Sequence, residues 1–442
     1  MIGKYFQLKE KQTSIKVELV AGLTTFLTMA YIIFVNPDIL SKTGMNKGAL
    51  IAVTCIVSAI VTIIVGLFAN APIAMAPGMG LNTFFTYSLV RSGKVNWETA
   101  LGAVFLSGLF FMLLTLLGLR KKLVEAIPTG LISAISVGIG LFITFIGLVK
   151  LGLVVGHEMT IVSAGKLTPT VLIGLCGLIV MVFLETRKVK GALLVGIIFS
   201  TALAAIFGYI PRPTEVISVH LNIRDVAFRL DILGALKWGL LGSIFSLMFM
   251  VMFDSIGTLV ACCYQAKMVD EKNQIKGLDR LLTIDAFATM IGAAFGTSTT
   301  TAYVESAAGI EQGGRTGLTS VVTGLLFLLA LVFVPIVRVV PECATAPALI
   351  MVGLFMAREV KKIDFMNMEE AFPAFIIMVM IALSYSISTG LAFGFISFAL
   401  IKTVLGKARD IRAAMWIIVV LSVLFLSLDR LGEAIKYLRS LT

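Results

Sequence analysis

The sequence predicts an all-α polytopic membrane protein of about fourteen transmembrane segments in two inverted seven-segment repeats. Segments 3 and 10 are each expected to break into a short antiparallel strand and a half-helix. Three observations carry this. First, 58% of the 442 residues are hydrophobic and only 14% are charged, with a mean hydropathy of +1.02, against about 25% charged in soluble domains. Second, apolar stretches of roughly 17–25 residues, each long enough to span a bilayer, recur along the chain. Third, two non-helical runs, Pro72–Asn82 and Thr297–Glu305, occupy matching places about half a chain apart.

Taken in order, the first half reads as Ile15–Asn36, Gly48–Ala69, the broken Pro72–Val90, Ala100–Gly118, Pro128–Leu151, Leu167–Leu184 and Gly191–Tyr209. A polar connector, Ile210–Lys237, follows. Its stretch Val219–Leu236 has the pattern of an amphipathic helix lying on the membrane surface. The second half reads as Trp238–Gln265, Leu281–Gly296, the broken Thr297–Ile310, Leu318–Val337, Glu342–Ala357, Glu370–Ile387 and Gly390–Leu405. A last apolar piece, Ala413–Leu428, is unassigned between a further span and an interfacial tail. An odd number of spans per half inverts the second repeat relative to the first. Interrupted helices at matching positions of inverted repeats mark a transporter's midplane site.

The net charge of +11 does not point to nucleic acid. The basic residues lie in short inter-helix loops: Arg120–Lys122, Arg187–Lys190, Lys267–Arg280, Arg358–Lys362 and Lys402–Arg412. All five fall on one side if the N-terminus is cytoplasmic and the helices alternate, as cytoplasmic loops carry excess positive charge. Met1–Glu18 is charged, lacks a cleavable hydrophobic region, and reads as a cytoplasmic or interfacial lead. The five cysteines, Cys55, Cys176, Cys262, Cys263 and Cys343, sit in apolar segments without CxxC spacing. They read as small core residues, not a disulfide framework or a metal site.

In Pro72–Asn82, Pro72, Pro77, Gly78 and Gly80 remove backbone donors or helical preference in close succession. Extended backbone is expected there, with helix resuming near Leu81–Asn82. The Thr-Ser-Thr-Thr-Thr-Ala-Tyr-Val run from Thr297 to Val304 favours strand. Pairing of the two runs would satisfy backbone groups that lipid cannot. Glu305 then stands at the start of the second half-helix, where free N–H groups favour negative charge. It reads as an acceptor for a ligand's N–H donors, against the plainer role of helix cap. Asp254 is a second acid well inside a span, with no Lys or Arg in helical reach. Charge at the bilayer centre costs about 2.5–3.5 kcal/mol on insertion scales, so Asp254 needs a partner from another helix, a proton or a ligand. Asp285 lies nearer a loop and reads equally as a helix-end acid. Asn82 offers an amide edge with donors and an acceptor, or a cap for the half-helix beginning there.

Enzyme chemistry finds little support. His157-Glu158-Met-Thr is not HExxH, and His220 is the other histidine. There is no Walker lysine motif and no nucleophile with a plausible base. Gly313-Gly-Arg-Thr-Gly317 reads as a tight turn before the next helix.

The chain resembles the nucleobase–cation symporter-2 (xanthine/uracil permease) family, and within it the adenine/guanine/hypoxanthine permease branch. The carrying motifs are Gly22-Leu-Thr-Thr-Phe-Leu-Thr-Met-Ala-Tyr-Ile-Ile-Phe-Val-Asn-Pro37, Ala76-Pro-Gly-Met-Gly-Leu-Asn82, Phe253-Asp-Ser-Ile-Gly-Thr258, Gly296-Thr-Ser-Thr-Thr-Thr-Ala-Tyr-Val-Glu-Ser-Ala-Ala-Gly309 and Gly313-Gly-Arg-Thr-Gly-Leu318. The resemblance covers essentially the whole chain. It implies a core domain (15–118 and 238–337) and a gate domain (128–209 and 342–428), beside an N-terminal lead (1–14), the connector (210–237) and a C-terminal tail (429–442). It implies a purine nucleobase held between core and gate, touched by Glu305, Asp254, Asn82 and the backbone near Val304. It also implies proton-coupled uptake without another cofactor. Uracil-type relatives often carry a histidine where this chain has Thr258, so Asp254 becomes the better candidate for proton coupling, with Asp285 beside it.

Purines are flat and rich in edge donors and acceptors, which suits this reading. A carboxylate can accept a ring N–H together with an exocyclic amine. A protonated Asp254 could donate to a ring nitrogen or keto oxygen, linking binding to proton occupancy. The expected setting is a multi-pass protein of the cell membrane. Left open are the preferred purine, sodium in place of protons, and the oligomeric state, a homodimer among the options. Left open too are an anion carrier of the sulfate type on the same fold, a passive channel and a membrane-embedded enzyme.

Overall fold

The computed structural model describes residues 2–93, 95–118, 127–210, 223–237, 240–268, 275 and 277–440. Seven of its helices are long and apolar enough to cross a membrane. Shorter or more polar helices and the two broken segments supply the remaining spans. The first seven segments are Ile15–Leu40 (interrupted at Ala30–Tyr31), Lys47–Ala69, a strand with the helical run Met79–Val90, Trp97–Leu116, Thr129–Leu151, Pro169–Thr186 and Ala192–Ile206. The second seven are Leu241–Gln265, Leu278–Phe295, a strand with Ser306–Glu311, Gly317–Val339, Glu342–Ala357, Met368–Ser384 and Ile387–Val404. Polar side chains start several of them. Asn46 Oδ1 accepts from Gly48 N at 2.9 Å, and Asn96 Oδ1 accepts from Thr99 N at 3.0 Å, capping otherwise unpaired first-turn donors.

Four strands occur among the described residues: β1 (Met75–Pro77), β2 (Val154–His157), β3 (Ile161–Ala164) and β4 (Thr300–Ala302). The two broken segments meet as expected. β1 and β4 pair antiparallel, with Met75 opposite Ala302, Ala76 opposite Thr301 and Pro77 opposite Thr300. The pairing extends past both ends through Gly78 N to Thr299 O (2.9 Å) and Tyr303 N to Ala74 O (2.9 Å). Each repeat thus supplies the backbone partners that the other's interrupted helix lacks. The strand is shorter than the Thr297–Val304 run because Gly296, at φ 89°, first has to turn the chain out of the preceding helix. Helix resumes at Met79, two residues before the expected start.

The repeats interlock. Gly317–Ala330 packs on Lys47–Ile64 and Ile15–Met29, and Leu278–Phe295 packs on Trp97–Leu116. A Cβ on Gly66 would lie 2.5 Å from the Gly317 carbonyl oxygen, so backbone-to-backbone approach excludes any side chain there. The buried Glu18 carboxylate closes the same contact. It accepts from Arg315 N (2.9 Å) and from Thr319 N and Oγ1 (3.2 and 2.6 Å). The Gly313–Gly317 turn is thereby tied to the first helix. Beside this core, Thr129–Leu151 packs on Glu342–Ala357 and Met368–Ser384, and Pro169–Thr186 packs on Ala192–Ile206.

One reading changes, and two stretches without an assignment gain one. In the connector, 211–222 lie outside the described residues. The described part holds one helical turn, Ile232–Ala235, and no long surface helix. Asp231 explains this: its carboxylate accepts from Gly234 N (2.8 Å) and Thr99 Oγ1 (3.1 Å), pinning the segment to Trp97–Leu116. The loop after Thr129–Leu151 forms the exposed β2–β3 hairpin, with His157 at its turn. Ala413–Leu428 belongs to a 28-residue helix, Ala413–Ser440, that packs on Ile387–Val404.

Candidate functional site

Where the β1–β4 pair faces the gate helices, the interface opens into a cavity of ≈ 290 Å³. Core residues on its wall include Tyr31, Gly78, Asp254, Thr258, Thr301 and Glu305; the gate contributes Ile132–Ile139 and Val352–Met356. Gly78–Leu81 reach the wall because the extended backbone places the start of the first half-helix at this depth. Glu359 and Lys362, paired at 2.7 Å, stand at its mouth.

Glu305 and Asp254 face this one cavity, and so does Val304, which is 54% exposed. Glu305 occupies the N-cap position of the six-residue Ser306–Glu311 helix, but its side chain makes no capping bond. Its Oε1 instead accepts from the Tyr31 hydroxyl at 2.6 Å. Asp254 Oδ2 lies 3.4 Å from Thr301 Oγ1, a long contact from β4. Tyr303, itself on the cavity wall and largely buried, donates to Pro77 O at 2.6 Å. The result is a pair of carboxylates on opposite elements, set in a wall of aliphatic, aromatic and hydroxyl groups.

Asn82 and Asp285 are not on that wall. Asn82 is fully buried behind the first half-helix and donates to Asn36 Oδ1. Asn36 in turn donates to Thr54 Oγ1 (2.8 Å) and Thr297 Oγ1 (3.2 Å). This network ties segment 1 to both broken segments. Nor is Asn82 the half-helix cap: Gly78 takes that place, and its carbonyl accepts from Asn82 N at 2.8 Å. Asp285 is buried in Leu278–Phe295, away from the cavity.

A second cluster lies at the other end of the core–gate interface. Asp38, on the core helix Ile32–Leu40, pairs with Lys150 of the gate at 2.8 Å; their side chains are only 3% and 6% exposed. Thr345 Oγ1 of the gate donates to the same Asp38 oxygen at 3.0 Å, and Lys47 Nζ stands 3.5 Å from the other. Lys42 and Glu342 pair alongside. The residues missing from the sequence reading are therefore Tyr31, Asn36, Asp38 and Lys150. Ending segment 1 at Asn36 made Asp38 a loop residue, although an acid after Asn36-Pro37 in an apolar run meets the same criterion that singled out Asp254.

Two interlocked inverted repeats, crossed strands at their centre and a cavity between core and gate define a secondary-transporter architecture. Solved structures with this fold include the transmembrane domain of a cyanobacterial bicarbonate transporter, BicA (TM-score 0.64, 18% identity, 84% of this chain and 96% of that one). Another is the murine anion transporter Slc26a9 in its inward-facing state (TM-score 0.63, 9% identity, 89% of this chain and 69% of that one). At these identities the likeness is one of fold. The sequence places the chain further: residues 16–431 match the model of the Permease family, that of the xanthine/uracil permeases, and the chain belongs to that family. Its relatives include the adenine permease AdeP of Escherichia coli, 40% identical over 96% of this chain and 95% of AdeP. The guanine/hypoxanthine permease PbuO of Bacillus subtilis is 41% identical over 95% of this chain and 98% of PbuO. A Methanocaldococcus jannaschii protein named as a permease is 46% identical over 96% of this chain and 97% of its own. The protein is thus a multi-pass member of a transporter family, not an enzyme.

Proposed function

We propose that the protein takes up purine nucleobases (adenine, guanine or hypoxanthine) across the cell membrane by proton symport and alternating access. The observation that carries this is the placing of Glu305 and Asp254 in one cavity of ≈ 290 Å³ between core and gate. That volume suits a small flat ligand, at the low end of the roughly 300–1,000 Å³ of small-molecule sites. Glu305 is proposed to accept N–H donors from the base. Asp254 is proposed to hold the coupling proton and to donate it to a ring nitrogen or keto oxygen. Asn82 is proposed to act from behind the wall, through its bond to Asn36 of segment 1, and Asp285 from within Leu278–Phe295, off the cavity. The relatives named for adenine and for guanine/hypoxanthine permeation support the substrate class.

The two ends of the interface support alternating access. Helix Thr129–Leu151 lines the cavity with residues between Ile132 and Ile139 and pairs with Asp38 through Lys150, 11 residues or about 16 Å beyond Ile139 at about 1.5 Å per residue. Helix Glu342–Ala357 runs the other way and does the same with Val352–Met356 and Thr345. One end is open while the other is sealed. The positive-inside pattern supports a cytoplasmic side for the open end, with Glu359 and Lys362, and for the N-terminus. Opening the other side requires the Asp38–Lys150 pair to part.

The fold's anion-carrying neighbours favour one rival reading, an anion substrate. Two carboxylates on the wall would repel it. The test is radiolabelled hypoxanthine uptake in cells lacking their own purine permeases, with adenine, guanine, xanthine, uracil, sulfate and bicarbonate as competitors. Competition by purines and collapse of uptake with a protonophore are expected. Competition by sulfate or bicarbonate alone overturns the reading, and dependence on sodium instead of protons overturns its coupling ion.

A further inference from the structure

We propose that Tyr31 is the positioning residue for Glu305, so that a residue of the first repeat orients the carboxylate with which the second repeat meets the ligand. This rests on the reading of Glu305 as the base-binding acid. The hydroxyl donates to Oε1 at 2.6 Å, within the short range of O–H bonds to carboxylates. The Tyr31 side chain is only 1% exposed. Its ring is clamped by packing, so the direction in which it presents the hydroxyl is set before any ligand arrives.

Glu305 needs such a clamp. Its side chain makes no cap to the helix behind it. The first-turn donors are already taken, Ser306 N by Tyr303 O (3.1 Å), Ala307 N by Val304 O (2.9 Å) and Ala308 N by Glu305 O (3.0 Å). A glutamate has three rotatable bonds, and without an anchor it would have to be ordered by the ligand, at the ligand's expense. Tyr31 stands where segment 1 interrupts its helix, between Ile15–Met29 and Ile32–Leu40. One turn earlier, Thr28 Oγ1 lies 3.4 Å from the Glu305 carbonyl oxygen, so segment 1 follows both backbone and side chain of Glu305. With one lone pair of Oε1 occupied, Oε2 and the second lone pair of Oε1 remain for N–H donors on a base edge.

Tyr31→Phe keeps the ring and removes only the hydroxyl. In proteoliposomes carrying the full-length protein, it should raise the KM for hypoxanthine about tenfold while Vmax stays within about twofold of wild type. A merely structural role predicts the opposite split, less active protein with unchanged KM, and that result overturns the proposal. A second measurement is independent of cargo. The infrared difference between wild type and Glu305→Gln isolates the Glu305 carboxyl bands, which should shift in Tyr31→Phe. Unshifted bands overturn the positioning role whatever the protein carries. Shifted bands in a protein that takes up no purine overturn the purine reading and uphold the Tyr31–Glu305 coupling.

Discussion

The two ends of the core–gate interface use buried charge in opposite ways. At the sealed end, Asp38 is satisfied by the protein itself: Lys150 at 2.8 Å, Thr345 at 3.0 Å and Lys47 at 3.5 Å. At the open end, Glu305 and Asp254 receive one hydroxyl each, from Tyr31 and Thr301, and otherwise face the cavity. Charge compensated by cations from both domains holds the domains together. Charge given only neutral donors, and a cavity in front of it, is arranged for a ligand or a proton. The same two helices, Thr129–Leu151 and Glu342–Ala357, carry residues of both sets.

The contrast can be broken at its strongest point first. Lys150→Met leaves the Asp38 carboxylate buried with the Thr345 hydroxyl and one more distant cation, Lys47, and should destabilise the protein by about 3–5 kcal/mol. Asp38→Asn added to it should recover much of the loss, because no charge is then stranded. Thermal unfolding in detergent reads both, and equal loss in single and double variants would mean the pair does not hold the seal. Glu305→Gln should leave stability nearly unchanged but lower the initial rate of hypoxanthine uptake about a hundredfold. Uptake retained with protein present in the membrane would remove Glu305 from the site.

Asp254→Asn sharpens the difference between binding and coupling. An imposed gradient of about one pH unit should sustain roughly tenfold accumulation in wild type. The variant should exchange labelled for unlabelled purine yet accumulate none; proton-driven accumulation would assign the coupling elsewhere. The smallest effect is expected at Thr345→Val, which deletes one hydrogen bond to Asp38. A loss of about 1–2 kcal/mol in unfolding stability is expected, with KM unchanged because the cavity lies at the other end of the helix.

Most spans were legible because a run of about twenty apolar residues has one low-energy fate in lipid. The two broken segments were legible for the converse reason: Pro77, Gly78 and Gly80, or five hydroxyl residues in succession, contradict the surrounding pattern. Glu305 and Asp254 stood out as acids with no local partner. Tyr31 did not, because a tyrosine in an apolar helix is unremarkable until its hydroxyl is seen beside a carboxylate 274 residues away. Asn82 was misplaced for a related reason. Its position at the half-helix was legible, but the face on which its amide lies depends on Asn36, from a different segment.

By itself, then, the sequence determined the spans, their interruption at two matching places and the two acids without a local partner, Glu305 and Asp254. These are consequences of burying each short stretch of chain, and local composition decides them. The tertiary structure alone decided which of the polar groups meet. Tyr31 with Glu305, Asn36 with Asn82 and Asp38 with Lys150 are bonds between segments. Their geometry follows from how two interlocked repeats and a gate settle against one another, and no single stretch of sequence carries that information.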